Sequence, residues 1–193
     1  MSRFGKLMTN PKSTMNMPIR GIPVYSLWLN PQHFDSALFR QWISDLSARF
    51  RTNVFEPHIT LLGELDAPLN KLLSVCETLS AQILPLRITL SEIELAEDFY
   101  RAIALKAEPD IALTKAWRTA CGSLEKNPLL FRPHLSLLYG TADAEGKVEA
   151  AASLQANLPL QARFDTLSVV RTEGDMSNWS IIKKYNSPMS SLN

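Results

Sequence analysis

FEPHITLL, residues 55–62, and FRPHLSLL, residues 131–138, decide the reading of this chain. Each is apolar enough to be a buried strand, yet each interrupts its run with a histidine and, two places later, a hydroxyl: His58 with Thr60, His134 with Ser136. In a strand, residues i and i+2 project from one face about 6–7 Å apart. The histidine and its hydroxyl therefore point together, while Ile59 and Leu61, like Leu135 and Leu137, turn toward a core. One such pair means little. Two copies with the same Phe-x-Pro-His flank need a reason that core packing does not supply, because a core has no use for a polar partner at i+2 twice.

Working outward, the elements around the two stretches repeat as well. VYSLWL (24–29) reads as a strand, and Leu38, Trp42, Ile43, Leu46 and Phe50 recur at helical spacing before the strand that begins at His58. Asp66, as a cap ahead of Pro68, opens a helix striped by Leu69, Leu72, Leu73, Cys76 and Leu79, and LRITLSEIEL (86–95) alternates as a strand. The order then restarts with FYRAIALKA (99–107) as strand, a helix striped by Leu113, Ala116, Trp117, Ala120, Cys121 and Leu124, and FRPHLSLLYG as strand. A helix near 143–156, the strand ARFDTLSVVRT (162–172) and a closing strand WSIIKKY (179–185) come after it. Equivalent residues keep nearly one offset: 75 for Tyr25 and Tyr100, Leu38 and Leu113, Trp42 and Trp117, then 76 for His58 and His134, and 74 for Pro85 and Pro159. The spacing predicts one domain over residues 21–186, built from an internal repeat of roughly 24–95 and 99–171. Residues 1–20 and 187–193 are expected to be poorly ordered ends.

Composition narrows the partners. Twenty Lys+Arg against 19 Asp+Glu in 193 residues leave a formal charge of +1, which disfavours an extended nucleic acid as the main partner. A small anionic ligand needs only local charge and stays open. Cys76 and Cys121 have no paired spacing and fall on helix stripes, so buried free thiols are expected. No segment is apolar enough to span a bilayer and the start lacks a signal-peptide core, which predicts a cytoplasmic protein, expected to be a monomer.

Two lobes related by an approximate twofold axis would bring His58, Thr60, His134 and Ser136 together over one ligand. An imidazole titrates near pH 6.5, so one ring can accept a proton while the other donates one. The hydroxyls can donate to phosphoryl oxygens as charge builds. That set suits the hydrolysis of a cyclic phosphodiester, with no metal or other cofactor required. A zinc site lacks ligands, since His33, near a helix start, is the only further histidine. Either histidine alone would read as a satisfied core residue.

PHIT followed by PHLS resembles the HxT/HxS signature of the two-histidine (2H) phosphoesterase superfamily, and VYSLWL with HLSLLY is similar to its cyclic nucleotide phosphodiesterase branch, known from plants and yeast. The resemblance covers roughly residues 24–184. It implies a bilobal α+β fold with mostly antiparallel sheets flanked by helices around a central cleft. The implied reaction is metal-independent opening of nucleoside 2′,3′-cyclic phosphates to 2′-phosphates and of ADP-ribose 1″,2″-cyclic phosphate, a by-product of tRNA splicing. Under it His134 is the base for water, His58 the acid, and Thr60 and Ser136 hold the phosphoryl oxygens. It also puts Trp28 and Tyr139 near the bound phosphate or base. Tyr139, five residues past His134, should face away from it unless the strand bends or ends, which Gly140 allows. Arg132 can lean toward a phosphate or into solvent, and the loop TEGDMSN (172–178) is a candidate cleft border. The alternatives are an enzyme acting on 2′,3′-cyclic ends or 2′-5′ linkages of tRNA, and a nucleotide-binding module without turnover. The chain departs from the plant members in having only two cysteines, so their disulfide-controlled loop is not expected here.

Overall fold

The computed structural model describes residues 24–127 and 130–187. The expected loose start, 1–20, lies outside the described residues, as do 188–193. Ser187 does not belong with a loose tail: it is buried, and its N–H donates to the Asp165 carbonyl at 2.7 Å.

Among the described residues seven strands and four α-helices follow in the order β1 (Tyr25–Pro31), α1 (His33–Phe50), β2 (Ile59–Leu65), α2 (Leu69–Ile83), β3 (Leu86–Leu95), β4 (Ile103–Ala107), α3 (Ile111–Ser123), β5 (His134–Leu138), α4 (Ala144–Gln155), β6 (Leu160–Arg171) and β7 (Ser180–Asn186). All strand pairings are antiparallel, in the order β1-β2-β5-β4-β3-β6-β7, with a further pairing of β1 to β6. The first six strands thus close into a ring. Exchanging β1 with β4, β2 with β5 and β3 with β6 returns the same ring, so a pseudo-twofold axis passes between β2 and β5. Pro85 and Pro159, the matched prolines, both follow cis bonds just ahead of β3 and β6. The architecture is α+β.

The core explains why the helices lie where they do. Phe39, Trp42, Ile43 and Leu46 form the buried face of α1, while Leu72, Cys76, Leu79 and Ile83 do so for α2. Two expectations need correction. Leu38 is exposed, because the buried stripe starts one residue later at Phe39. Asp66 caps nothing: Pro68 occupies the cap position of α2 without a side-chain bond, and the Asp66 carboxylate instead takes Lys126 Nζ at 3.2 Å. The helices that do carry side-chain caps are α3, through Asp110 to the Leu113 N–H, and α4, through Asp143 to the Gly146 N–H, each 2.7 Å. Both cysteines are free; burial pushes the Cys76 thiol up to about 12, whereas Cys121, expected to be buried, is only half-buried. No helix among the described residues is long and apolar enough to cross a membrane.

Candidate active site

The site is set by one strand pairing. β2 meets β5 antiparallel at Ile59 opposite Leu135, both fully buried. Continuing that register by one residue each way sets His58 beside Ser136 and Thr60 beside His134, all four on the face opposite the two core residues. The imidazoles occupy one diagonal of this square and the hydroxyls the other.

The ring orientations repeat too. His58 Nδ1 lies 2.7 Å from the Glu56 carbonyl, and His134 Nδ1 lies 3.0 Å from the Arg132 carbonyl. A carbonyl only accepts, so each Nδ1 carries hydrogen, and in a neutral ring Nε2 is left with its lone pair. Environment then separates the two. His58 is 4% exposed, and burial, assisted by the His134 charge and opposed by the Glu56 carbonyl bond, lowers its pKa from 6.5 to about 4. His134 is half-buried.

The cover over His58 is aromatic. Trp28 pairs with Thr60 across β1 and β2, which puts it on the same face, and its ring stacks on His58 at 3.6 Å between centroids, 8° from parallel. Tyr139 reaches the site because β5 slips: Ser136 faces Ala104 but Leu138 faces Ile103, leaving one extra residue on β5, and the strand ends at Leu138. A one-residue slip reverses the facing of the residues beyond it. Tyr139 OH accordingly sits 3.4 Å from His58 Nε2. Burial raises its own pKa, which keeps the phenol protonated and a donor. Gly140, at φ 114, ends the strand with its N–H on the Phe99 carbonyl at 2.8 Å.

Buried Asn30, on β1, links β6 to the segment just before β2. Its Nδ2 donates to the Pro57 carbonyl at 3.0 Å, and its Oδ1 accepts from Ser168 Oγ at 2.6 Å. This amide holds the backbone immediately before His58. Asn30→Ala strands the Pro57 carbonyl and the Ser168 hydroxyl, and the expected cost is about 1–3 kcal/mol of stability, read from urea unfolding. Ser168→Ala, which leaves the Pro57 bond intact, is expected to cost less.

A cleft of about 710 Å³ opens beside these residues, lined by Thr60, Tyr100, Arg101, Lys126, Arg132 and His134 among others. Thr60 and His134 therefore face open space, whereas His58, Ser136, Trp28 and Tyr139 are buried behind them. A second cleft of about 560 Å³ lies along Trp28, Phe55, Met176, Ser177 and Trp179, so the TEGDMSN loop borders this one, on the Trp28 side, and does not line the cleft that holds Thr60 and His134. Sequence reasoning gave no role to three aromatic residues. Phe55 stacks on Tyr139 at 3.8 Å. Tyr100 accepts the Ser136 hydroxyl through its carbonyl at 2.8 Å and stacks on Trp179 at 5.5 Å. Tyr100 had a signal, its match to Tyr25 in the repeat, but the two differ in setting, since Tyr25 is buried while Tyr100 is exposed. Trp179 adjoins the suspected loop and carries no pattern of its own. Among the described residues no group of three or more His, Cys, Asp or Glu side chains could hold a metal ion.

The sequence profile of the 2′-5′ RNA ligase superfamily matches residues 31–176, from the end of β1 through both motif strands to the loop after β6. The chain belongs to this superfamily, that of the 2H phosphoesterases. Its solved structural relatives carry the same fold at low identity. TT0787 of Thermus thermophilus is 16% identical at a TM-score of 0.59, covering 84% of this chain and 97% of its own. E. coli LigT in its apo form is 12% identical at 0.55, covering 86% and 98%. E. coli LigT complexed with 3′-AMP is 13% identical at 0.54, covering 87% and 99%. A comparison with curated proteins finds no match. Membership of the 2H superfamily supports a phosphoesterase-type activity on phosphodiesters.

Proposed function

We propose that this protein hydrolyses small cyclic phosphodiesters, opening nucleoside 2′,3′-cyclic phosphates to 2′-phosphates and ADP-ribose 1″,2″-cyclic phosphate to ADP-ribose 1″-phosphate. The observation that carries this reading is the Ile59–Leu135 pairing, which sets two imidazoles and two hydroxyls on one face of adjacent strands. In the reaction, water attacks phosphorus as one imidazole Nε2 takes its proton. The bond from phosphorus to one sugar oxygen breaks, and the other imidazole delivers a proton to that oxygen. Thr60 and Ser136 donate to the non-bridging oxygens. For Ser136 this means leaving the Tyr100 carbonyl, to which it donates in the unliganded protein.

The burial of His58 bears on which ring does what. A ring with pKa about 4 is neutral at pH 7, and its Nε2, which faces the Tyr139 hydroxyl in the unliganded protein, is an unprotonated acceptor, the form a base needs, so we assign His58 as the base and His134 as the acid. This reverses the roles that resemblance implies. The dependence of kcat/KM on pH in the His134→Ala variant, measured on 2′,3′-cyclic AMP with a chelator present, distinguishes the two, because His58 is then the one motif imidazole left to titrate in the free enzyme. With His58 as base, kcat/KM rises with pH through about 4 and has levelled by pH 6. A fall beginning at about 4 would make His58 the acid. Chromatography of the products reads the direction of opening, and absence of turnover on both cyclic substrates would remove the reading altogether.

A second reading, action on 2′,3′-cyclic ends or 2′-5′ linkages of RNA, draws support from the arginines and lysine along the open cleft. Comparing rates on a mononucleotide and an oligonucleotide separates it from the first.

A further inference from the structure

Two arginines stand beside the reactive face without a carboxylate. Arg132 passes its carbonyl to His134 Nδ1, and Arg101 follows Tyr100, whose carbonyl takes the Ser136 hydroxyl. Their backbones are thereby tied to the second motif. Both side chains line the 710 Å³ cleft and also an adjoining one of about 520 Å³, so they form the wall common to the two. Neither enters any ion pair among the described residues. The other cation of the main cleft, Lys126, is already taken by Asp66 and the Glu64 carbonyl. Carboxylates do border the clefts: Glu64 and Asp98 line the 710 Å³ cleft, Glu94 the 520 Å³ one. Of these, Asp98 is occupied by the Tyr100 N–H at 2.9 Å.

A guanidinium offers planar paired donors that match a phosphate, and it remains charged at any working pH. Two of them sharing one wall, next to a site that already handles a phosphoryl group, are placed for a second anion on the same ligand. We infer that Arg101 and Arg132 form a second phosphate subsite and make the preferred substrate a cyclic phosphodiester that carries a further phosphate elsewhere in the molecule. This rests on the proposed function for the place of the first phosphate. It separates the candidates, since 2′,3′-cyclic AMP has no second phosphate while a pyrophosphate-bearing ribose cyclic phosphate and an RNA end both do.

Equilibrium binding of adenosine 2′-monophosphate and adenosine 2′,5′-bisphosphate tests the subsite without requiring turnover. A charge-assisted contact of this kind corresponds to about tenfold to a hundredfold in affinity, and the bisphosphate is expected to bind tighter by that factor. The ratio should fall toward one in Arg101→Ala and in Arg132→Ala. Arg101→Lys and Arg132→Lys, which keep the charge and lose the fork, should retain part of it. Arg118→Ala, on the exposed side of α3, should leave the ratio as it is. Equal binding of the two nucleotides by the wild type, or a preference that survives both alanine variants, would overturn the subsite.

Turnover adds the source of the second phosphate. The three substrates are 2′,3′-cyclic AMP, its 5′-phosphorylated form, and a dinucleotide ending in a 2′,3′-cyclic phosphate. A gain in kcat/KM with the 5′-phosphorylated mononucleotide assigns the subsite to a terminal phosphate, and a gain confined to the dinucleotide assigns it to a chain phosphodiester. Equal turnover of all three with equal binding defeats the subsite and leaves the proposed reaction standing. Failure to turn over any of them, with the binding ratio intact, defeats the reaction and leaves the subsite.

Discussion

Replacing His134 with alanine is expected to lower kcat/KM on 2′,3′-cyclic AMP by about 10²- to 10⁴-fold, the usual contribution of one positioned acid or base. The same range holds for His58. The two rings serve opposite ends of one displacement: one takes a proton from the incoming water, the other supplies a proton to the departing sugar oxygen. Removing either leaves the other with a step that no longer limits the rate, so the double variant should be about as slow as the worse single one rather than the product of both. His134 is half-buried and its ring can be lost with little disturbance of packing. His58 is different, because Trp28 lies flat on it and Tyr139 abuts Nε2, so alanine there opens a hole under the tryptophan. His58→Gln is the cleaner variant, since its side chain fills much of the space under Trp28. If His134→Ala and His58→Gln both turned over substrate at the wild-type rate, the paired motif would have no chemical role.

The parts of this site that were legible in the sequence are those governed by local period and by repetition. Alternation in PHIT and PHLS put each histidine with its hydroxyl, and the nearly constant offset between the halves pointed to two sets related by symmetry. What the sequence withheld depends on pairing between distant segments. The slip of β5 against β4, which swings Tyr139 toward His58, belongs to the register of two strands and not to either one alone. The depth of His58 is likewise a tertiary fact, produced by Trp28 from β1 and by Tyr139 beyond β5. An open groove holding all four polar residues was the natural expectation, yet only Thr60 and His134 reach open space. Asp66 failed as a cap because a cation from the other half of the chain, Lys126, offered its carboxylate a better partner than a helix start with Pro68 in the cap position.

Burial of a neutral histidine also makes folding depend on pH, and here the sign is fixed. Above pH 6.5 the His58 ring is neutral in the folded and the unfolded chain alike, so it favours neither state. As pH falls below 6.5 the unfolded chain binds a proton that the folded protein refuses until about pH 4, and stability drops across that window. Below about 4 both states are protonated and the loss levels off. Each tenfold difference in proton affinity is worth 1.36 kcal/mol, which makes the full loss about 3 kcal/mol, a large share of what holds a domain together. Urea unfolding of the wild type and of His58→Gln, at pH 7 and again at pH 4, isolates this contribution, because the carboxylates that also titrate are common to both proteins. The wild type is expected to lose about 3 kcal/mol more than the variant between the two pH values. Equal losses would mean that His58 titrates like a solvated imidazole. They would also withdraw the ground for making it the base, since the proton that burial refuses in the folded state is the same one whose absence leaves Nε2 free to accept from water. The pH at which the stability loss levels off and the midpoint of the low-pH limb of kcat/KM must therefore coincide, both at about 4.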